Sequence, residues 1–315
     1  MELVAFTPEL VHEAALMAAA RSADARRHQP LLPRRWSSPA DHEPGLNALA
    51  RDGVGVAVRE GGRLTGYLAA WEIDAPRRGR RWTYAPEWGW AAIGTGRSPR
   101  GTVIEELYSA AAQRWVGDGF RTHIVSVMAD DRTGLARWSW LGFGRTTMDG
   151  IRDLAPIGRT VPGISIRRGD PGDAATLAEL EEGLRAHLAG TPVFFALGAP
   201  RSEEQHRQRL ADPSGAVLLA EREGRIVAHM LVGPASEDAA TMIRDAGTAS
   251  ITGAFTRPEA RRGGVAEALL DAAVSWARDQ GYERIAVDFE TANLLATRFW
   301  TRHFAPVSFS LERSV

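Results

Sequence analysis

Arg261-Arg262-Gly263-Gly264-Val265-Ala266 decides how this 315-residue chain folds, because a strand leads into it and a helix leads out of it. Upstream, Ser250-Ile251-Thr252-Gly253-Ala254-Phe255-Thr256 reads as a strand closed by Pro258. Downstream, Val265, Ala268, Leu269, Ala272, Ala273 and Trp276 recur at helical spacing, and Gly281 supplies a stop. The adjacent glycines let the backbone approach a ligand without interference from Cβ. The first amides of a helix lack internal acceptors, so several N–H groups and the positive end of the helix dipole face outward together. Such a loop suits a diphosphate.

Working outward, the chain repeats itself. Val56-Ala57-Val58-Arg59-Glu60-Gly61-Gly62-Arg63-Leu64-Thr65-Gly66-Tyr67-Leu68 and Leu218-Leu219-Ala220-Glu221-Arg222-Glu223-Gly224-Arg225-Ile226-Val227-Ala228-His229-Met230 both read as hairpins turning on Glu, Gly and Arg. Arg63 and Arg225 stand at the same offset as Gly119 and Gly281, and Phe143 and Phe304 differ from it by one residue. A near-constant offset predicts a duplicated domain. Each copy begins with a short strand and a helix, Leu3 to Phe6 then Pro8 to Ala20, and Ile164 to Arg167 then Asp173 to Leu188. Asp153 to Gly163 has the Pro/Gly punctuation of a linker, which places the domains at 1–160 and 161–315. The predicted class is a mixed α/β layer fold in two tandem copies.

Composition narrows the function. With 44% hydrophobic and 24% charged residues the chain is ordinary globular material. A formal charge of −1 argues against a nucleic-acid partner, although Pro76-Arg77-Arg78-Gly79-Arg80-Arg81-Trp82 is a local basic run, read as a solvated hairpin. The absence of cysteine excludes disulfides, thiolate metal sites and a cysteine nucleophile, and no metal is expected. The N-terminus shows no basic leader with an apolar core, and Ala14 to Ala20 is too short to span a bilayer, so a cytoplasmic protein without a membrane partner is expected.

Thr256-Arg257-Pro258-Glu259-Ala260-Arg261-Arg262-Gly263-Gly264-Val265-Ala266, followed by Asn293, Ala296, Phe299 and Phe304, resembles the GNAT superfamily of acyl-CoA-dependent N-acyltransferases, in the mycothiol-synthase-like tandem form. The resemblance covers both halves. It implies acetyl-CoA as co-substrate, with the pyrophosphate on the amides of Arg262 to Glu267, including Val265 and Ala266. The pantetheine arm would pair like an extra strand with Ala254, Phe255 and Thr256, and Asn293 would hydrogen-bond that arm. Asn293 also fits a plain N-cap, and the two roles are compatible. In the first copy the matching loop is Arg100-Gly101-Thr102-Val103-Ile104-Glu105, with Val103 for the second glycine, Glu105 for Ala266 and Arg132 for the asparagine. A carboxylate beside a diphosphate is repulsive and valine lacks glycine's backbone freedom, so residues 1–160 are expected to be a degenerate copy that does not bind acetyl-CoA.

The family's proton-transfer positions are altered. Its strand glutamate, six residues ahead of Thr256, is Ser250 here, and its tyrosine acid after Phe299 is Trp300. Serine is a poor base and an indole N–H does not give up its proton near neutral pH. Substitutes in the second copy are His229, Asp288, Glu290 and Asp245. Alternation sets Asp288 and Glu290 together on one face of their strand, flanking a cleft or facing solvent. His229 has the side chain whose reference pKa of ~6.5 suits a base, and it also reads as a buried histidine satisfied by a neighbour. His303 replaces the family's glycine before Phe304, and either reaches the thioester end or breaks a turn. Glu87 would serve only if the two clefts met.

The segment Gly190 to Gly198, with Glu182 and His187 nearby, is apolar and aromatic. It reads either as a lid suggesting a small amine acceptor or as core packing of a helix pair. The leading expectation is an N-acetyltransferase using acetyl-CoA and a primary amine in a ternary complex in the C-terminal domain. The alternatives are a catalytically silent acyl-CoA-binding module and an acyltransferase for a different acyl group. The tandem arrangement is compatible with a monomer or a homodimer.

Overall fold

The computed structural model of the chain describes residues 1–51, 55–77, 79–195, 198–236 and 239–315. It contains two compact units: Met1–Asp149 with Ala240–Met242 and Pro306–Val315, and Gly150–Ala239 with Ile243–Ala305.

The first unit runs β1 (Glu2–Ala5), α1 (Val11–His28), α2 (Pro39–Arg51), β2 (Val56–Glu60), β3 (Arg63–Leu68), β4 (Trp71–Arg77), β5 (Arg80–Ala85), β6 (Trp90–Ala92), α3 (Arg100–Gly117), β7 (Thr122–Met128) and α4 (Arg132–Trp140), and β8 (Gly144–Arg152) carries the chain out of it. Strands β1-β2-β3-β6 form one antiparallel sheet. Elsewhere in the unit β5 pairs in parallel with β7, every residue of which is buried, as expected of a strand covered on both faces. Val103, Ile104, Leu107, Tyr108, Ala111 and Trp115, on one face of α3, pack with Trp90, Trp138 and Phe143. A fully buried Val, Ile or Leu among them contributes about 1.5–3 kcal/mol by leaving water, so this face holds the helix in place.

The basic run is a hairpin, β4–β5, as the sequence predicts, but it is not simply solvated. Arg77 pairs with Glu312 at 3.3 Å, and Arg81 pairs with Asp74 and lies over the Phe120 ring. Arg78 lies outside the described residues. This hairpin takes the place beside β7, and the strand that matches the second copy's pre-loop strand is reduced to the three residues of β6.

The second unit runs β9 (Ser165–Arg168), α5 (Ala174–Ala189), α6 (Glu203–Ala211), β10 (Ala216–Arg222), β11 (Arg225–Pro234), β12 (Thr248–Thr256), α7 (Val265–Asp279), β13 (Arg284–Glu290) and α8 (Leu294–His303). The strand order is β13-β12-β11-β10-β9, with β12–β13 parallel and the other pairs antiparallel. Leu177, Leu180, Leu210, Leu219 and Leu231 form its α5-side core. On α7 the buried face is Val265, Ala268, Leu269, Leu270, Ala273, Val274 and Ala277. Trp276, which fits the apolar spacing, instead stacks on Tyr282 at 5.8 Å.

The repeat is visible in the backbone. Gly119 and Gly281 both end a helix in the left-handed region, at φ 89° and 81°. In each case the next residue closes back, Phe120 N to Trp115 O and Tyr282 N to Ala277 O. Two features depart from a simple cut at residue 160. The segment read as a linker belongs to the second unit, and the last strand, β14 (Ala305–Ser314), pairs antiparallel with β7 from Ser308↔Met128 to Ser314↔Thr122.

Candidate active site

The parallel register of β12 with β13 runs from Thr248↔Arg284 to Ile251↔Val287, whereas its register with β11 continues to Thr256↔Ala228. A bulge marks the point of departure, since Leu231 faces Gly253 and Val232 faces Ile251, leaving Thr252 as the extra residue. Bulges bend a strand and re-aim the residues beyond them. Past this one, burial falls from Thr248–Ile251, all buried, to Thr252–Thr256, exposed or half-buried. The edge of β12 that parts from β13 faces a cleft.

At the end of β12 the chain makes a short 3-10 turn at Pro258–Ala260, an extended step at Arg261 and left-handed steps at Arg262 (φ 64°) and Gly264 (φ 83°). The sequence placed the backbone freedom in Gly263 and Gly264. The structure uses Arg262 and Gly264, and the arginine bears the left-handed angle at a cost of about 1–2 kcal/mol. The first α-helical bond of α7 is Ala268 N to Gly264 O at 3.0 Å, so the amides of Val265, Ala266 and Glu267 precede it and point out of the helix end. Arg261 Nε donates to Thr256 O at 2.9 Å and its guanidinium lies 5.5 Å from the Phe255 ring centroid.

These elements enclose a cleft of about 730 Å³, large enough for a small ligand. Its wall includes Ala254, Phe255 and Thr256 of β12, Arg261, Arg262 and Gly264 of the loop, Val265, Ala266 and Glu267 of α7, and Asn293; Gly263 is set back from it. Gly183 of α5 permits this construction, because a Cβ there would lie 2.8 Å from the Phe255 ring. Asn293 caps α8, its Oδ1 accepting from Ala296 N at 3.3 Å, and the same oxygen lies 3.1 Å from His187 Nε2. His187 and Leu184, in the last turns of α5, line the cleft. Glu267 has two guanidinium groups and an imidazole around it: Arg159 at 3.4 Å, Arg302 at 4.0 Å and His303 at 3.7 Å. Partial burial is the main effect on His303 and lowers its pKa, although Glu267 favours the charged form.

The candidates for proton transfer fare differently. His229 corrects the sequence reading. It is fully buried on β11, outside the cleft wall, and neither ring nitrogen has a hydrogen-bond partner among the described residues. Burial, with Arg209 and His206 adding to it, pushes its pKa down to about 3, so it neither reaches a substrate nor holds a proton near neutrality. Ser250 is buried and its Oγ accepts from Ser236 N at 3.2 Å. Trp300 is a wall residue, packed edge-to-face with Phe299 and Phe304. Asp245 is spent on Arg284, at 2.8 and 3.0 Å. Asp288 and Glu290 are half-buried on β13 and outside the cleft wall. Glu87 belongs to the first unit, where it accepts from Met242 N at 2.8 Å. In the lid segment Phe194 is 67% exposed while Val193 is buried, and Ala196 and Leu197 lie outside the described residues.

The first unit's matching loop is filled by its own side chains. α3 begins directly after Pro99, whose carbonyl accepts from Thr102 N and Val103 N. Val103 is fully buried, Glu105 pairs with Arg137 at 2.8 Å, and that guanidinium covers Gly101, where a Cβ would meet it at 2.6 Å. Among the described residues no helix is long and apolar enough to cross a membrane, and no cluster of three or more His, Asp or Glu is arranged to hold a metal.

Residues 184–305 match the sequence profile of the Acetyltransferase (GNAT) family. Among curated proteins none matches the sequence. The chain is similar in fold to a GCN5-related N-acetyltransferase from Sphaerobacter thermophilus, with 18% identity, 99% of this chain and 95% of that one covered, and a TM-score of 0.60. A GCN5-related N-acetyltransferase from Kribbella flavida superposes less closely, with 19% identity, 99% and 70% covered, and a TM-score of 0.43. A tandem GNAT protein from the clavulanic acid biosynthesis pathway gives 15%, 99% and 98%, and 0.48.

Proposed function

From a second half that carries a GNAT acetyltransferase domain, we propose that this chain moves an acetyl group from acetyl-CoA to the primary amine of a small molecule, in one cleft per chain. The observation that carries the reading is the conjunction at β12. The strand parts from β13 at Ile251, and the edge so released leads directly into the amides of Val265, Ala266 and Glu267. An extended arm pairs with such an edge, and a diphosphate at the end of that arm meets the helix terminus. When bound, acetyl-CoA supplies an activated acyl carbon and a thiolate leaving group.

The rest of the chemistry falls to side chains of the cleft. Asn293 Oδ1 is held by Ala296 N and faces His187, which leaves its Nδ2 donors for the arm. With His229 buried elsewhere, His187 lines the cleft wall; its Nε2–H donates to Asn293 Oδ1, which leaves Nδ1 as the nitrogen to which we assign the base. It takes the proton that the ammonium must lose before its nitrogen attacks the thioester carbon. That attack forms the amide and breaks the C–S bond, and the departing sulfur takes a proton from solvent or the imidazolium. Amides of β12 beyond Ile251 are the donors placed to stabilise charge on the carbonyl oxygen.

Ser250 and Trp300, in the positions of the usual base and acid, support a second reading, a silent acyl-CoA-binding module. Thiol release from acetyl-CoA, measured with a panel of small amines, aminoglycosides and peptides, separates the two. Turnover with a small amine is expected. Binding of acetyl-CoA with no turnover across the panel would favour the silent module, and turnover with peptides alone would overturn the acceptor class.

A further inference from the structure

We propose that Arg159, outside the phosphate loop in sequence, is a ligand of the diphosphate, delivered to the cleft by residues 154–159 acting as a strap along α7; this rests on the acetyl-CoA reading above. The strap is fastened at two points. Ile157 N and Gly158 N both donate to Asp271 Oδ1, at 2.7 and 3.2 Å, and Arg278 Nη1 donates to Leu154 O at 3.3 Å. Glu267 and Asp271 are four residues apart and so share a face of α7. A chain pinned to Asp271 therefore runs towards Glu267 and the helix start. Gly158, at φ 69°, makes the turn that a side chain would resist.

The guanidinium arrives over Gly264. A Cβ built on that glycine would lie 2.5 Å from Arg159 Nε and 2.6 Å from Nη2, and Arg159 forms part of the cleft wall. Gly264 is required for its left-handed angle, and a side chain there would also push the Arg159 guanidinium aside.

The present partner of Arg159 is Glu267, with Nε to Oε2 at 3.4 Å, beyond normal hydrogen-bond length. The side chain is 49% exposed and keeps its donors available. A guanidinium offers a planar fork that matches two phosphate oxygens, and the amides of Val265, Ala266 and Glu267 open beside it. The geometry also answers a charge problem. Glu267 sits in the first turn of the helix that receives the diphosphate, where an unpaired carboxylate would repel it. When Arg159 turns to the ligand, the Arg302 guanidinium remains beside Glu267 at 4.0 Å.

The test is calorimetric titration of the full chain with acetyl-CoA and with acetyl-(3′-dephospho)-CoA, comparing wild type, Arg159→Ala, Arg159→Lys and Asp271→Ala. Arg159→Ala is expected to weaken both ligands equally, by about ten- to hundredfold, the weight of a charge-assisted hydrogen-bond pair. Arg159→Lys is expected to fall between it and wild type. Asp271→Ala is expected to weaken both ligands by a smaller factor, and no change there would overturn the strap. Unchanged affinity in Arg159→Ala, with binding still abolished by Gly264→Glu, overturns the assignment of Arg159 while leaving the acetyl-CoA site standing. Tighter binding makes Arg159 a guard, and a loss confined to the 3′-phosphorylated ligand makes it a 3′-phosphate contact; both overturn the proposal. A wild-type chain that binds neither ligand overturns this proposal together with the reading beneath it.

Discussion

His187 and His229 show how far one residue type's environment determines its use. Both lie within residues 184–305, which match the acetyltransferase profile, yet one lines the cleft with its Nε2 on Asn293 and the other is sealed in the core. His187→Ala is expected to lower kcat by about 10²–10⁴-fold, the usual worth of a general base, with a much smaller change in KM for acetyl-CoA. Steady-state kinetics with whichever amine turns over gives the split; a loss confined to KM would make His187 a binding residue. His229 predicts an effect on stability instead. Its pKa of about 3 in the folded chain, against ~6.5 unfolded, means that between these values the unfolded chain binds the extra proton. His123 in the first unit, pushed down to about 4 chiefly by burial, acts in the same direction. Stability from both is complete above pH ~6.5 and is lost as pH falls towards 4 and 3. Denaturant unfolding between pH 7.5 and 4.5 is expected to show that slope, and His229→Leu to flatten it. An unchanged slope in the variant would contradict the assignment. Residue type alone made His229 a candidate in the sequence, and a period-2 pattern does not say which face of a central strand is the core.

At the scale of elements, the loop and α7 were legible because their signals are local: a strand ended by Pro258, glycines, an apolar face and Gly281. The β12 bulge at Thr252 was not, since it exists only in the pairing with β11, and pairing is a property of two segments. Arg159 was hidden for a similar reason. Its role depends on Asp271 holding Ile157 and Gly158, and nothing near Arg159 in the sequence marks that contact. β14 is the largest departure. A chain cut by its repeat assigns this strand to the second half, but its pairing and the burial of Val307, Ser308 and Leu311 place it with β7. Truncation after Ala305 is therefore expected to destabilise the first unit, exposing the edge of β7. Hydrogen exchange should show lost protection at Ile124–Met128, with β10 and β11 little changed. The opposite pattern would contradict the assignment of the strand.

For the whole molecule, duplication turns one loop into a comparison. One copy opens its helix end into a cleft, and the other covers the matching helix start with Arg137, Glu105 and buried Val103. The sequence carried that asymmetry in four positions, Gly264 and Ala266 against Val103 and Glu105, while the side chains that fill the first copy's loop became visible only in the fold. A single working cleft per chain is a quantitative claim, and the stoichiometry of acetyl-CoA binding by calorimetry tests it most directly. We expect one equivalent per chain in the wild type, none in Gly264→Glu, and one in Val103→Ala. Two equivalents per chain, or an equivalent that survives Gly264→Glu, would contradict the account.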